Sequence, residues 1–348
     1  MKLLSLILFV VSIFSFNLKE KEVSYYANSY IVMEQNTNTI IEGSNYYKTQ
    51  SVASISKIMT CIVALENLDL ERKVYVDDCI DKTYGSAVYL KKDTYISNKD
   101  LLYGLMLRSG NDCALMIAKS VSNNLESFVE LMNKKAVEIG MNNTTFANPH
   151  GLDEIDGGNI SCSYDMALLQ NYALNNLMYR EITSSKSYKS ENYGVWINKN
   201  KLLNQYSKCI SGKTGYTKLA KRTLVTSSKR DFLELTIVTL NCGGDFAYHK
   251  QLYEKHFNIY DSKLILKEGK IKILDYVILI DKDVYYFAKK EDLENSKLYI
   301  ETDKEKRICN IYIVSKSTDF IGSFSFYIDE SYNKFIDEFL SCLKDMFF

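Results

Sequence analysis

Residues 53–65 read ASISKIMTCIVAL. Within this stretch and just before it ends, Ile58, Met59, Ile62, Val63 and Leu65 recur at helical spacing, so the segment after Ser54 is expected to be a helix with one face committed to a core. Ser54 stands at or near the N-terminus of that helix. Lys57 lies one turn further on, projecting from the same face at the positive end of the helix dipole. A serine hydroxyl is a weak nucleophile until a neighbouring base takes its proton, and Lys57 can be that base only when neutral. Lowering its pKa from about 10.4 toward about 7 corresponds to roughly 4 to 5 kcal/mol. Burial and a second cation could supply this.

On the N-terminal side, Tyr30-Ile31-Val32-Met33 and Thr39-Ile40-Ile41 flank a polar stretch and predict a hairpin. On the C-terminal side, helices are expected at 98–107, 112–122 and 125–139, the last stopped by Gly140, and again from Met166 to Leu174. Strands are expected at Thr223-Leu224-Val225-Thr226 and from Leu233 to Leu240, joined by the charged turn Lys229-Arg230-Asp231, with a helix near 246–257 closing that sheet. From Lys263 onward short alternating segments such as Tyr276 to Ile280 and Ile311-Tyr312-Ile313-Val314 predict a small all-β domain. The division expected is 1–16 signal segment, 23–261 first domain, 262–328 β-rich domain and 329–348 amphipathic terminal helix. Lys2 followed by the apolar run Leu3 to Phe16 reads as an export signal, too short to span a bilayer, and so implies an extracytoplasmic protein. The terminal helix, with Phe335, Ile336, Phe339, Leu340 and Leu343 on one face, is either packed on the β-rich domain or laid against a membrane surface.

Two further patterns follow Ser54-Ile55-Ser56-Lys57 in order: Ser109-Gly110-Asn111, in a predicted turn between helices, and Lys213-Thr214-Gly215, leading into strands. Each of the first two patterns is common by chance, and the order and setting of all three carry the weight. Lys213, expected to stay charged and to be the second cation, would bind an anionic group together with Thr214, most simply the free C-terminal carboxylate of a peptide. Ser109 can relay a proton to a departing amine. Asn111 can hold a substrate amide, and the backbone N–H groups of Ser54 and Tyr216 can polarise an attacked carbonyl. The candidate catalytic set is Ser54, Lys57 and Ser109; the candidate substrate-binding set is Asn111, Lys213, Thr214, Gly215 and Tyr216.

With these motifs, and with Asp100-Leu101-Leu102-Tyr103-Gly104-Leu105-Met106-Leu107 and Phe146-Ala147-Asn148-Pro149-His150-Gly151-Leu152-Asp153, nearly the whole chain resembles the low-molecular-mass penicillin-binding proteins. These are serine-type D-Ala-D-Ala carboxypeptidases of the β-lactamase-like superfamily. The resemblance implies an α/β fold of the β-lactamase/transpeptidase type: an antiparallel five-stranded sheet with a helical subdomain, followed by a separate β-rich domain. It implies Ser54 as the acylated residue with Lys57, Ser109, Asn111, Lys213 and Thr214 as partners. Peptidoglycan stem peptides ending in D-Ala-D-Ala are the implied substrate, β-lactams the implied inhibitors, and no cofactor is needed. Two departures stand out: Ala220-Lys221-Arg222 lies where the family usually has a glycine, and Val52 where it has a proline before the nucleophile.

Other function classes fit less well. Lysines plus arginines and aspartates plus glutamates each total 43, so no net field draws the chain toward nucleic acid. The eight cysteines form no C-x-x-C pair and no close Cys/His spacing, so no structural metal is expected. Cys61 and Cys113 sit in apolar helical patterns as small hydrophobes, and a disulfide framework is a minor alternative. His150 suggests a Ser-His triad, but no G-x-S-x-G elbow exists and a loop role fits it better; His249 and His256 read as surface or packing residues. A phosphate-binding loop ending at Gly212-Lys213-Thr214 would need glycine where Ser207 stands. The closest rival is a β-lactamase, for which no E-x-x-L-N segment occurs between Asn111 and Lys213; an inert wall-binding protein is the remaining alternative.

Overall fold

The computed structural model describes residues 25–82, 84–122, 124–153, 158–273, 276–303, 308–314 and 320–328. The expected signal segment and terminal helix lie outside the described residues. Strand β1 (Ala27–Glu34) turns into β2 (Ile40–Ser44). A 3-10 turn, Ala53–Ser56, runs directly into helix α1 (Lys57–Asn67). Helix α2 (Asn98–Tyr103) passes into a π-turn at Gly104–Arg108, and α3 (Asn111–Val121) and α4 (Leu125–Ile139) follow. Gly140 ends α4 in a left-handed conformation, as a helix stop requires. Helix α5 covers Ser163–Ala173, three residues earlier in onset than its apolar pattern suggests. Helix α6 (Leu177–Ser184) was not expected; Asn176 caps it by accepting from the N–H groups of Met178 and Tyr179.

Strands β3 (Cys209–Thr217), β4 (Lys221–Arg230) and β5 (Leu233–Cys242) then complete one antiparallel sheet in the order β2-β1-β5-β4-β3, and α7 (Asp245–Ile259) follows. Lys229 and Arg230 belong to strand β4 rather than to its turn, which is Asp231-Phe232. Both faces of the sheet are covered, which is why β5 is buried at nine of its ten positions. Alternation along the strands separates two cores. Ile31, Val225, Val238 and Leu240 pack with Ile58, Met59, Phe128 and Met132 of the helical subdomain. Val32, Leu235 and Ile237 pack with Leu252, Tyr253 and Phe257 of α7. His249 is fully buried within that second layer, its two ring nitrogens bonded to the hydroxyls of Thr226 (2.7 Å) and Thr239 (2.9 Å). It is a packing residue.

Beyond α7 the chain forms small antiparallel sheets. Strand β6 (Tyr260–Leu266) pairs with β9 (Val284–Lys289), β7 (Gly269–Ile273) with β8 (Tyr276–Ile280), and β10 (Lys297–Asp303), β11 (Ile308–Val314) and β12 (Phe320–Tyr327) form a third sheet. Ile278, Ile280, Cys309, Ile311 and Ile328 make its core. One short helix, Lys290–Glu294, interrupts an otherwise all-β region. The seven described cysteines are all free, with Cys61 and Cys113 fully buried.

The β3–β4 hairpin closes with Lys221 at φ +57°, in the left-handed region that favours glycine. This is the turn at which the resemblance leads one to expect a glycine. A side chain in this conformation costs roughly 1–2 kcal/mol, and glycine would give back about half of that in unfolded-state entropy. Lys221→Gly is therefore expected to stabilise the protein by about 0.5–1 kcal/mol, read as a higher denaturation midpoint at unchanged slope; a lower midpoint would mean that contacts of the lysine side chain hold the turn.

Candidate active site

The helix that begins the reading also begins the site. Ser54 sits in the 3-10 turn, half-buried, and Lys57 starts α1 with its side chain fully buried. Lys57 Nζ donates to Ser54 Oγ (3.0 Å), to Asn111 Oδ1 (2.7 Å) and to the carbonyl of His150. Burial is the main force lowering its pKa, to about 7, and the cation of Lys199 adds to it. A neutral amine has two N–H groups and one lone pair. Asn111 and the His150 carbonyl can take the two protons, leaving the lone pair for the proton of Ser54.

Asn111 is the first residue of α3, held by its neighbours on both sides. Its amide N–H donates to the Ser86 carbonyl (2.7 Å) and its side-chain NH2 to the Tyr84 carbonyl (2.5 Å). Asp112 clamps the same loop by accepting from the N–H groups of Val88 and Leu90. Just before it, Ser109 has φ +62°, an uncommon conformation for a residue with a side chain and one that marks constrained sites. Its hydroxyl accepts from Lys213 Nζ at 2.9 Å.

Lys213 comes from the edge strand β3, is 1% exposed, and also donates to the Thr214 carbonyl (2.7 Å). Its pKa falls well below the usual lysine value through burial first, then through the cations of Lys57 and Lys199. Lys199 is a further cation acting on Lys57, one the motifs did not point to, and Lys213, expected to stay charged, is itself destabilised as a cation by burial and by its mutual repulsion with Lys57. Lys199 bonds Ser86 Oγ (3.0 Å), and its backbone N–H donates to the Leu107 carbonyl. Thr214 and Gly215 are half-buried and Tyr216 is 64% exposed at the rim.

Gly215 lets β3 approach the nucleophile closely. A Cβ there would lie 2.4 Å from Thr223 Oγ1 and 3.0 Å from the Ser54 nitrogen. Thr223 in turn donates from its hydroxyl to the Val52 carbonyl (3.0 Å), tying β4 to the segment before Ser54. The backbone nitrogen of Ser54 therefore lies close to the strand that carries Tyr216.

The segment Asn148–Gly151 was quoted above only as part of a likeness, and here its role is physical. Asn148 Oδ1 accepts from the N–H groups of His150 (3.3 Å) and Gly151 (2.7 Å), and Asn159 braces Asn148 from behind. This turn aims the carbonyl of Pro149 at Thr60 and that of His150 at Lys57. Gly151 (φ +81°) has no room for a side chain, because a Cβ would fall 2.2 Å from the Ala53 carbonyl. The His150 ring accepts from Leu152 N–H (3.2 Å) and its pKa is lowered to about 3 by burial and by Lys57. It is a structural histidine. Among the described residues no group of three or more His, Cys, Asp or Glu side chains could hold a metal ion.

A serine whose hydroxyl meets a buried lysine, a second serine bridged to a second lysine on a sheet edge, and a helical subdomain facing a five-stranded antiparallel sheet define an active-site serine peptidase of the β-lactamase-like class. Residues 17–244 match the family described as D-alanyl-D-alanine carboxypeptidase, and the chain belongs to that family. It is 30% identical over 312 residues to D-alanyl-D-alanine carboxypeptidase DacF of Bacillus subtilis, covering 81% of this chain and 78% of that protein. To DacB2 of Mycobacterium tuberculosis it is 30% identical over 217 residues, 62% of this chain and 74% of that one. Among solved structures, penicillin binding protein 5 from Haemophilus influenzae superposes with a TM-score of 0.76 at 25% identity, over 88% of this chain and 97% of that chain. The protein is a serine peptidase of a family that acts on peptidoglycan, and neither the β-lactamase nor the inert alternative is favoured.

Two outcomes are expected at this site. Gly215→Ala would push β3 away from Ser54, because its Cβ meets Thr223 and the Ser54 nitrogen, and should slow acylation of Ser54 by about 100-fold, the order of losing one preorganised donor; an unchanged rate would show that β3 can move aside. Lys57 is inactive as a base when protonated, so acylation should rise with pH through a midpoint near 7. Lys199→Met removes a cation that disfavours protonated Lys57, so the midpoint should move up, while Lys199→Arg should leave it in place; stopped-flow acylation across the pH range reads both.

Proposed function

We propose that the protein removes the terminal D-alanine from peptidoglycan stem peptides through an acyl-enzyme on Ser54. Lys57 takes the Ser54 proton as the hydroxyl adds to the carbonyl of the last peptide bond. The N–H groups of Ser54 and Tyr216 hold the oxyanion, and the proton taken by Lys57 passes through Ser109 to the departing D-alanine amine, returning Lys57 to its neutral form. Water then takes the place of the amine and releases the shortened peptide. Protonated Lys213 and Thr214 bind the terminal carboxylate, which restricts the reaction to chain ends, and Asn111 and Gly215 border the acyl segment. The observation that carries the reading is the bond from Lys57 Nζ to Ser54 Oγ inside a site where the same nitrogen is fully buried.

We infer the organisation as a signal at 1–16, a peptidase domain at 23–261, a β-rich domain at 262–328 and a C-terminal amphipathic helix at 329–348, either packed on the β-rich domain or laid on a membrane surface. The change from one five-stranded sheet to several small sheets supports the boundary near 261. The apolar run from Leu3 to Phe16 supports export, and action on the wall requires it.

Benzylpenicillin should add its mass once to the intact protein, persist for minutes or longer, and be absent from Ser54→Ala. Release of D-alanine from a pentapeptide by the unmodified protein, and its loss in the same variant, would complete the test. No adduct at all would end the assignment.

A further inference from the structure

A second concavity, far from Ser54, has a lining that the peptidase reaction does not use. It encloses about 530 Å³ between the β1–β2 turn, the end of α5 and the β-rich region, a volume in the range of small-ligand sites. Five side-chain amides line it: Gln35, Asn36 and Asn38 from the turn, Asn171 and Asn175 from α5 and its exit. Asn171 pins the turn, donating to Asn38 Oδ1 (2.8 Å), while Gln35 Nε2 reaches back to the Asn171 carbonyl (3.4 Å). Asn171 Oδ1 is fully buried and has no hydrogen-bond partner among the described residues, so contacts with a ligand fall to the exposed amides of Asn36, Asn38 and Asn175.

Three rings, Tyr172, Tyr285 and Phe324, stand in the wall beside the aliphatic side chains of Ile139, Leu168 and Val284. The carboxylates present are already committed. Glu138 is paired with Lys135 (2.6 Å), and Asp283 accepts from the Glu268 N–H (2.8 Å) and the Tyr285 hydroxyl (3.0 Å). The cleft thus offers donors and acceptors in equal measure beside flat apolar faces, with little net charge to attract an ion. That is the complement of a neutral ligand carrying hydroxyls and acetamido groups on an apolar ring.

We propose that this cleft is an accessory binding site for an N-acetylated aminosugar oligosaccharide. Amides of Asn36, Asn38 and Asn175 exchange hydrogen bonds with hydroxyl and acetamido groups, and Tyr172 and Tyr285 cover the sugar faces. Register places the cleft away from the catalytic site: Gln35 N–H bonds the Glu234 carbonyl, whereas Thr214 lies opposite Leu224 and, through it, Thr239. Five residues along and three strands across amount to roughly 20 Å. The cleft therefore holds a saccharide apart from the peptide being cut, an attachment to the polymer rather than a substrate subsite. The wall as its setting rests on the function proposed above, but the binding itself does not.

The experiment titrates the purified protein with tri-N-acetylchitotriose and with maltotriose, which has the hydroxyls but no acetamido groups, followed by calorimetry. Saturable binding of the first and not the second is expected. Tyr285→Ala and Asn175→Leu should each weaken it roughly tenfold, the loss of one good contact, with unchanged melting temperature and unchanged benzylpenicillin acylation of Ser54. Absence of chitotriose binding, equal binding of maltotriose, or binding that neither substitution alters overturns the proposal. Failure of Ser54 to acylate in the same preparation would break the catalytic reading instead and leave the titration readable.

Discussion

The nitrogen of Lys57 is the constraint on which the rest of the site depends. It has no contact with solvent, and an amine in that position is costly unless its protons are placed. Its acceptors come from three segments remote in sequence: Ser54 at the entry to α1, Asn111 at the start of α3 and the carbonyl of His150. Each segment is braced on its own account. Asp112 and the Tyr84 and Ser86 carbonyls hold Asn111, and the paired amides of Asn148 and Asn159 turn His150 inward. A helix start, a helix junction and a loop are thereby fixed relative to one atom, which is how hydrogen bonds preorganise a site.

The sheet supplies the other wall, and its contribution is closeness. Gly215 on the edge strand has no side chain where Thr223 and the Ser54 backbone crowd in, so strand and nucleophile meet at backbone distance. The strain of the arrangement is stored nearby. Ser109 and Ala53 both hold positive φ without being glycine, one on each side of the serine–lysine pair. The buried sheet behind them, packed on both faces, is stiff enough to keep such conformations in place.

Much of this was legible in the sequence, and what was not had identifiable causes. Helix α4 was readable to the residue because its apolar stripe is regular and Gly140 stops it. Strand β5 was readable because β-branched and leucine residues run unbroken from Leu235 to Leu240. Helix α6 was not: its buried positions are Tyr179, Ile182 and Thr183, too few and too polar to make a stripe, and Asn176 is its main signal. The triad of motifs located Ser54, Lys57, Ser109, Asn111 and Lys213, yet it could not yield the His150 carbonyl or the Tyr84 carbonyl, because backbone acceptors carry no residue signature. Lys199 was missed for a related reason. A lysine in a polar run is ordinarily a solvated charge, and only the fold brings it within range of two buried amines. The glycine missing after Thr217 was visible, but its consequence, Lys221 in a left-handed turn, required the backbone.

The two buried lysines also settle how charge is shared in the site. Lys57 and Lys213 each lose stability as cations through burial, and each feels the charge of Lys199. Both cannot be protonated cheaply at once, so their titrations belong to the pair rather than to either residue. The proposed mechanism needs one particular division: neutral at Lys57, charged at Lys213. A ligand carboxylate arriving beside Lys213 favours its protonated form directly, and the charge thereby drawn to Lys213 disfavours a second proton on Lys57. Binding the anionic end of a peptide thus moves both lysines toward their working states, and a peptide without that end gains neither effect. In the proposed mechanism, selectivity for a free chain terminus follows from the electrostatics of the base as well as from the fit of the carboxylate.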